Sequence, residues 1–75
     1  MWSGKVSGLL HDHFGDFEGF TLESYGGGHQ RFFSRETAIR DLVRTAWTER
    51  HVVSVITVAA HSRRVRRLLI RGYAD

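Results

Sequence analysis

One helix-like segment, placed inside a series of strand-like segments, constrains the fold of this chain more than any other feature. From about Ser34 to Arg50, apolar residues recur at three- and four-residue intervals and form one stripe, which comprises Ala38, Ile39, Leu42, Val43, Ala46 and Trp47. Three strand-like segments precede the helix and two follow it. This order predicts a small, mainly β barrel that closes on itself. The apolar stripe, with Trp47 as its largest member, is expected to close one end of this barrel.

The length of the chain allows one domain. With 75 residues, the chain is expected to form a single unit whose core covers about residues 5–71. The sequence contains no cysteine, so we expect no disulfide and a reducing, cytoplasmic environment. No apolar run approaches the roughly 18 residues of a membrane span. The N-terminus also lacks the apolar stretch of a signal peptide, so we expect no membrane contact.

The first two strands are expected to pair as a bulged hairpin. Val6 and Leu10 share a face of the first strand, and Leu22 belongs to the apolar face of the second. A two-residue turn would divide these apolar residues, because it would place Leu10 opposite Thr21. A connection with an odd number of residues, or a bulge near Phe14, places Leu10 opposite Leu22 and gathers the core.

The remaining elements follow from turn and cap residues. A glycine run at residues 26–28 predicts a hairpin loop before a third strand over His29–Phe33. Ser34 is the expected N-cap of the helix, and Glu36 is expected to pair with Arg40 one turn later.

Two strands are expected after the helix. Residues 51–60 are rich in valine and isoleucine and low in charge, which predicts a central strand because an exposed edge of this composition would aggregate. The last strand is expected over residues 65–71, with Leu68 and Ile70 on one face.

The order of three strands, a helix and two strands resembles the OB-fold, a five-stranded Greek-key barrel. The segments His11–Phe20, Phe32–Glu36 and Ala46–Trp47 resemble small uncharacterised bacterial domains. The resemblance covers about residues 5–71, and an SH3-like barrel is the alternative. An OB-fold implies a binding face on strands two and three, with the loops after strands one and four as its walls.

Charge is distributed unequally along the chain. Residues 1–30 carry one lysine against four carboxylates, a net charge of −3, whereas residues 31–75 carry ten arginines against four carboxylates, a net charge of +6. The planar forks of arginine suit phosphate groups, although a GC-rich genome also enriches arginine. The densest basic run is Arg63–Arg67, which also fits a solvated loop beside a valine-rich strand.

These residues predict weak, largely sequence-independent binding of single-stranded DNA or RNA. The OB resemblance places the binding face on Phe17, Tyr25, Arg31 and Phe33 and the wall on Arg63, Arg64, Arg66 and Arg67. Only one of the adjacent Phe32 and Phe33 can point inward on a regular strand, and the sequence leaves open which one.

The alternative function is protein–protein interaction or self-association. The acidic first part and the basic second part of the chain can pair between copies, and a dimer interface would add burial to so small a domain.

No pattern in the chain predicts an enzyme. The glycine run at residues 26–28 lacks the lysine and serine or threonine that end a phosphate-binding loop, and no serine lies in a nucleophile elbow. His11 and His13 alternate on one side of a strand, but with His29 or Asp16 they form only a weak metal signal. We therefore expect a non-enzymatic module with no metal and no cofactor.

Overall fold

The structure is a computed structural model that describes residues 1–73. Its elements are β1 (Trp2–His11), β2 (Phe17–Glu23), β3 (His29–Phe33), α1 (Thr37–Glu49), β4 (His51–Thr57) and β5 (Val65–Tyr73). The strands form one antiparallel sheet in the order β3-β2-β1-β4-β5. This confirms a mainly β domain with one helix between the third and fourth strands, and it places β4 inside the sheet as predicted.

The sheet is not closed into the predicted barrel. Its edge strands β3 and β5 meet at a single parallel bridge, Phe33 to Arg64, and no continuous ladder joins them within residues 1–73. The reason is the offset of the two strands, since the bridge joins the last residue of β3 to the residue just before β5. β3 ends at the bridge and β5 begins just after it, so the two strands do not run side by side. The edges of the curled sheet therefore meet at this bridge without forming a ladder.

The pairing of β1 with β2 differs from the prediction. Leu22 lies opposite Val6, so the expected pairing of Leu10 with Leu22 is wrong. The connection at residues 12–16 has odd length as predicted. Register shifts occur inside the strands rather than near Phe14. The turn is centred on Phe14, since His11 pairs with Phe17, so the partner of Leu10 is Gly19, three residues before Leu22.

The helix begins later than the sequence predicts. Glu36, rather than Ser34, is the N-cap, and the Ser34 hydroxyl accepts a hydrogen bond from the Glu36 backbone N–H at 3.2 Å. Ser34 is therefore a buried turn residue. Arg40 donates to the carboxylate of its neighbour Asp41 at 3.2 Å, and this contact replaces the expected pair with Glu36.

The buried stripe of α1 is narrower than predicted. Its buried residues are Ile39, Val43 and Ala46. Trp47 is 46% exposed and Leu42 is 40% exposed, so the prediction that Trp47 closes the end of a barrel is wrong. At 3.6 residues per turn, these two positions lie about 70° to either side of the centre of the stripe, so they flank the contact with the sheet.

The core lies between the curled sheet and α1. Its buried apolar residues are Val6, Phe17, Phe20, Leu22, Phe32, Ile39, Val43, Ala46, Val53, Val55, Val65 and Leu68. The rings of Phe20 and Phe32 stack with centroids 5.6 Å apart, and the ring of Trp2 meets Phe32 edge-on at 5.8 Å. Among the described residues, no helix is long and apolar enough to cross a membrane.

The last two strands differ from the prediction only at their ends. β4 stops at Thr57, before the predicted end at residue 60, and β5 continues past residue 71. Leu68 is buried and Ile70 packs against the core, as their shared parity predicts. The shorter β4 leaves a longer loop at residues 58–64.

Candidate functional site

The outer face of β2 and β3 exposes one aromatic ring beside one arginine. Phe32 pairs with Phe20 on the core side and is completely buried. Because side chains alternate along a strand, Phe33 and Arg31 lie on the outer side, two residues apart, at a spacing of about 6.6 Å. Phe33 is 43% exposed, so it is the outward member of the phenylalanine pair.

A glycine leaves the ring of Phe33 uncovered. Gly19 lies opposite Phe33 in the pairing of β2 with β3. A Cβ atom at Gly19 would lie 2.1 Å from the carbonyl oxygen of Phe32, so no other residue fits without a backbone shift. Since glycine has no side chain, nothing on the neighbouring strand position covers the aromatic ring.

The loop between β4 and β5 brings the arginine run to this ring. The backbone N–H of Phe33 donates to the carbonyl oxygen of Arg63 at 2.9 Å. The carbonyl oxygen of Arg64 accepts a hydrogen bond from the backbone N–H of Val58 at 3.0 Å. The backbone N–H of Arg64 donates to the Ser62 hydroxyl at 3.0 Å. These bonds fix the loop, so the backbone of Arg63 and Arg64 lies next to Phe33.

The guanidinium of Arg63 lies over two aromatic rings. Its guanidinium carbon lies 4.3 Å from the centroid of the Trp2 ring and 6.0 Å from that of Phe32. Such a cation–π contact contributes about 0.5–1 kcal/mol at an exposed site and more when desolvated. This contact holds the guanidinium close to the ring of Trp2, and Arg63 as a whole is half-buried.

A cleft of about 240 Å³ lies beside Phe33. It is lined by Glu18, Phe33, Ser34, Arg35, Arg63 and Arg64. Three of these residues are arginines, one is aromatic and one is acidic. The cleft therefore combines positive charge with an aromatic surface, which is the chemistry that binds anionic, ring-containing ligands.

An ion-pair network that the sequence did not predict holds the rim of the cleft. Arg35 donates to Asp12 at 2.9 Å and its other nitrogen lies 3.7 Å from the carboxylate of Glu18. The other carboxylate oxygen of Asp12 makes local contacts. It accepts hydrogen bonds from the backbone N–H groups of Phe14 at 2.9 Å and Asp16 at 3.0 Å. The hydrogen bond from Arg35 is the largest cause that lowers the pKa of Asp12.

A signal for this turn is present in the sequence. Asp12 is followed by Gly15, and an aspartate that bonds the backbone two residues later is typical of tight turns. Gly15 has a φ of 86°, a left-handed conformation that glycine adopts readily. The pairing with Arg35 spans 23 residues, so no local pattern predicts it.

Two predicted face residues do not join the site. Phe17 is buried because the register shift next to Glu18 turns it into the core, so its predicted stacking role is wrong. Tyr25 is 79% exposed but lies in the turn beyond the pair formed by Glu23 and His29. The strand rise places it more than about 13 Å from Phe33, at the opposite end of the hairpin.

The remaining predicted arginines extend the site in one direction. Arg66 and Arg67 are exposed at the start of β5. Because β3 and β5 are parallel at their bridge, residues 31–33 and 64–67 follow one another along the surface over about 15 Å. We call this set the arginine strip; it comprises Arg31, Phe33, Arg63, Arg64, Arg66 and Arg67.

The histidines and carboxylates do not converge within the described part of the chain. Residues 1–73 contain no group of three or more histidine, cysteine, aspartate or glutamate side chains placed to hold a metal ion. His29 lies 3.3 Å from Glu23. The ring of His11 contacts Phe17, and that of His13 contacts Phe14.

Comparison of the chain with known protein families, curated proteins and solved structures finds no match. The function of the chain is therefore inferred from the residues of the arginine strip and the cleft beside it.

Proposed function

We propose that this protein binds a short stretch of single-stranded DNA or RNA along the arginine strip. One observation carries the proposal, namely that the exposed ring of Phe33 lies between Arg31 on its own strand and Arg63 and Arg64 on the adjoining loop. Aromatic rings stack with bases, and arginines on both sides contact the phosphates that flank a stacked base.

The arrangement favours a single strand over a duplex. In a duplex the faces of the bases are stacked on one another, so the ring of Phe33 has no base to contact. An unpaired base can stack on it, and each such contact is worth about 1–3 kcal/mol. The arginines add a contribution that does not depend on sequence and decreases with salt.

The topology supports the same proposal. The strand order, the parallel contact of β3 with β5 and the helix between β3 and β4 agree with an OB-fold whose barrel is incompletely paired. We propose this relationship over the SH3-like alternative. OB-folds bind oligonucleotides on the face of strands two and three and on the loop after strand four, which correspond here to the two parts of the arginine strip.

Fluorescence anisotropy with a labelled oligothymidine tests the proposal. Changing Arg31 and Arg64 together to glutamate removes two positive charges and adds two negative ones, so we expect binding to weaken by at least about 100-fold. The slope of log K against log salt for the unaltered protein should be about −0.7 per phosphate contact.

The matched control is a double change on the helix. Arg44 lies on α1 and Arg50 is its C-cap, and the surface pockets that they line contain no residue of the arginine strip or the cleft. Their joint change to glutamate alters the net charge by the same amount as the strip variant. If this control weakens binding as much as the strip variant, the affinity reflects net charge alone and the assignment of the site is wrong.

Self-association is the second candidate. Its support is the edge position of β5 in the sheet, the exposure of Leu42 and Trp47 on α1, and the opposite net charges of residues 1–30 and 31–75. Sedimentation at low and high salt tests it, because a dimer held by pairing between oppositely charged surfaces dissociates as salt rises. A monomer at both salt concentrations would exclude this candidate.

A further inference from the structure

Glu18 is the one acidic side chain in the lining of the cleft beside Phe33. A carboxylate repels phosphate, so it would weaken a pocket that binds only the nucleic-acid backbone. The same carboxylate can, however, accept hydrogen bonds from the donor groups of a base. We propose that this cleft takes up a nucleobase and that Glu18 selects guanine, an inference that rests on the proposed nucleic-acid binding.

A bulge in β2 places Glu18 in the cleft. Gly19 pairs with Leu10 and Phe17 pairs with His11, so Glu18 is the extra residue on β2. Its carbonyl oxygen accepts the backbone N–H of Ser34 at 3.0 Å, which fixes its position next to Phe33. Bulges commonly redirect a side chain toward a functional site, and here the redirected side chain lines the cleft.

The carboxylate of Glu18 is free enough to accept a ligand. Its closest cation is Arg35, at 3.7 Å, which is longer than the 2.7–3.2 Å of a hydrogen bond. Arg35 is anchored instead by Asp12 at 2.9 Å. The side chain of Glu18 is 34% exposed, so a donor from a ligand can reach it while the contact between Arg35 and Asp12 remains.

The cleft has the size and walls for one base. Its volume of about 240 Å³ is below the roughly 300–1,000 Å³ of pockets for drug-sized ligands, and this suits a single flat ring system. The exposed ring of Phe33 supplies a flat surface for stacking. The acidic group then meets the edge of the stacked base rather than its face.

Hydrogen-bond chemistry favours guanine at such a carboxylate. Guanine has two adjacent donors, N1–H and the N2 amino group, and both oxygens of a carboxylate can accept from them. Adenine and cytosine offer one amino donor next to an acceptor, and thymine or uracil offers one donor between two acceptors. A bidentate contact with a base discriminates by about 10-fold or more, and 10-fold corresponds to about 1.4 kcal/mol.

Anisotropy titrations with four labelled heptamers test the proposal. Each has thymine at every position except the centre, which carries guanine, adenine, cytosine or thymine. A single guanine avoids self-association of the probe. We expect the guanine heptamer to bind about 10-fold more tightly than the all-thymine heptamer, with adenine and cytosine between them.

Variants of the carboxylate assign the preference. Glu18→Gln replaces one acceptor oxygen by a donor, so the guanine preference should fall below about twofold while affinity for the all-thymine heptamer is kept or rises. Glu18→Ala should give the same loss of preference, and melting curves confirm that both variants fold. Glu23→Gln, the same change near the other end of β2, should keep the preference.

The outcomes separate this inference from the proposed function. Equal binding of all four heptamers, or a guanine preference that survives in the folded Glu18 variants, overturns the role of Glu18 and leaves nucleic-acid binding intact. Failure of every heptamer to bind overturns both proposals.

Discussion

The two ends of the hairpin formed by β2 and β3 each expose an aromatic residue, yet they differ in what surrounds it. Phe33 lies where the hairpin meets the loop before β5, and it is bonded to the backbone of Arg63. Tyr25 lies in a glycine-rich turn, with 79% of its surface exposed. Exposure alone therefore does not identify a binding site. We call the end with Phe33 the cleft end and the end with Tyr25 the turn end. The cleft end differs because a strand and a loop are bonded to each other there.

The electrostatic surroundings of the two ends also differ. At the cleft end, three arginines line the space beside Phe33. At the turn end, Lys5 and Glu23 lie beside Tyr25 and their charges oppose each other. An anionic ligand therefore gains more at the cleft end, although its aromatic ring is the less exposed of the two.

The largest expected effect is on folding, at a glycine of the cleft end. Gly19→Ala places a Cβ atom 2.1 Å from a backbone oxygen, so strands β2 and β3 must separate. We expect a loss of about 3 kcal/mol in the free energy of unfolding, measured by urea denaturation.

The matched change at the turn end is Gly28→Ala. Its Cβ atom would meet only the Ser24 hydroxyl, at 3.5 Å, an ordinary contact. We expect the free energy of unfolding to change by less than about 0.5 kcal/mol. Equal losses at Gly19 and Gly28 would contradict the tight packing assigned to the cleft end.

The next effect is on ligand affinity. Phe33→Ala should weaken binding of an oligothymidine by about 5- to 150-fold, which corresponds to the 1–3 kcal/mol of one stacked base. Tyr25→Ala should change the affinity by less than about twofold, because it removes an aromatic ring outside the arginine strip. The measurement is an anisotropy titration of both variants, and a larger loss for Tyr25→Ala would reverse the comparison.

A smaller effect concerns the ion pairs of the two ends. The pKa of Asp12 is lowered, chiefly by its hydrogen bond from Arg35. A depressed pKa in the folded state contributes stability above the unfolded value near 3.9, and that contribution is lost as pH falls through the lower folded pKa. Asp12→Asn should therefore lower Tm at pH 6, with the difference from the unaltered protein narrowing toward pH 2.

The control for this pH dependence is Glu23→Gln, which removes the carboxylate near His29 at the turn end. Both of these side chains are more than half exposed, so we expect a change in Tm that is small at every pH. A constant Tm difference for Asp12→Asn from pH 6 to pH 2 would show that ionisation of this carboxylate does not stabilise the fold.

The smallest effect on ligand affinity is expected at Trp47. Because this residue is 46% exposed, Trp47→Ala should cost less than the roughly 3–5 kcal/mol of a buried tryptophan and leave oligonucleotide affinity unchanged. Urea denaturation and the anisotropy titration measure the two quantities. A loss of affinity would indicate that the ligand also contacts α1.

The order of elements was predictable because it depends on local patterns. Alternation and helical periodicity place β3 at His29–Phe33, and the valine-rich composition of β4 places it inside the sheet. The buried stripe of α1 was only partly predictable. Periodicity indicates the side of the helix that faces the core but not the width of the contact, so Trp47 was misplaced at its margin.

The candidate site was predictable only where its residues are close in sequence. Alternation on β3 places Arg31 and Phe33 on one face, and the arginine run is visible at a glance. Phe17 was misplaced because a single extra residue, Glu18, reverses the side of the strand on which its neighbours lie. The contact of Arg35 with Asp12 depends on tertiary structure, and strand patterns carry no information about it.

The most direct test of the central claim is an NMR titration of labelled protein with a short oligothymidine at two salt concentrations. Binding along the arginine strip should shift the amide signals of Arg31, Phe33, Arg63 and Arg64, with shifts that weaken as salt rises, and should leave the amide of Tyr25 unmoved. Shift changes centred on Tyr25, or none anywhere in the arginine strip, would contradict it.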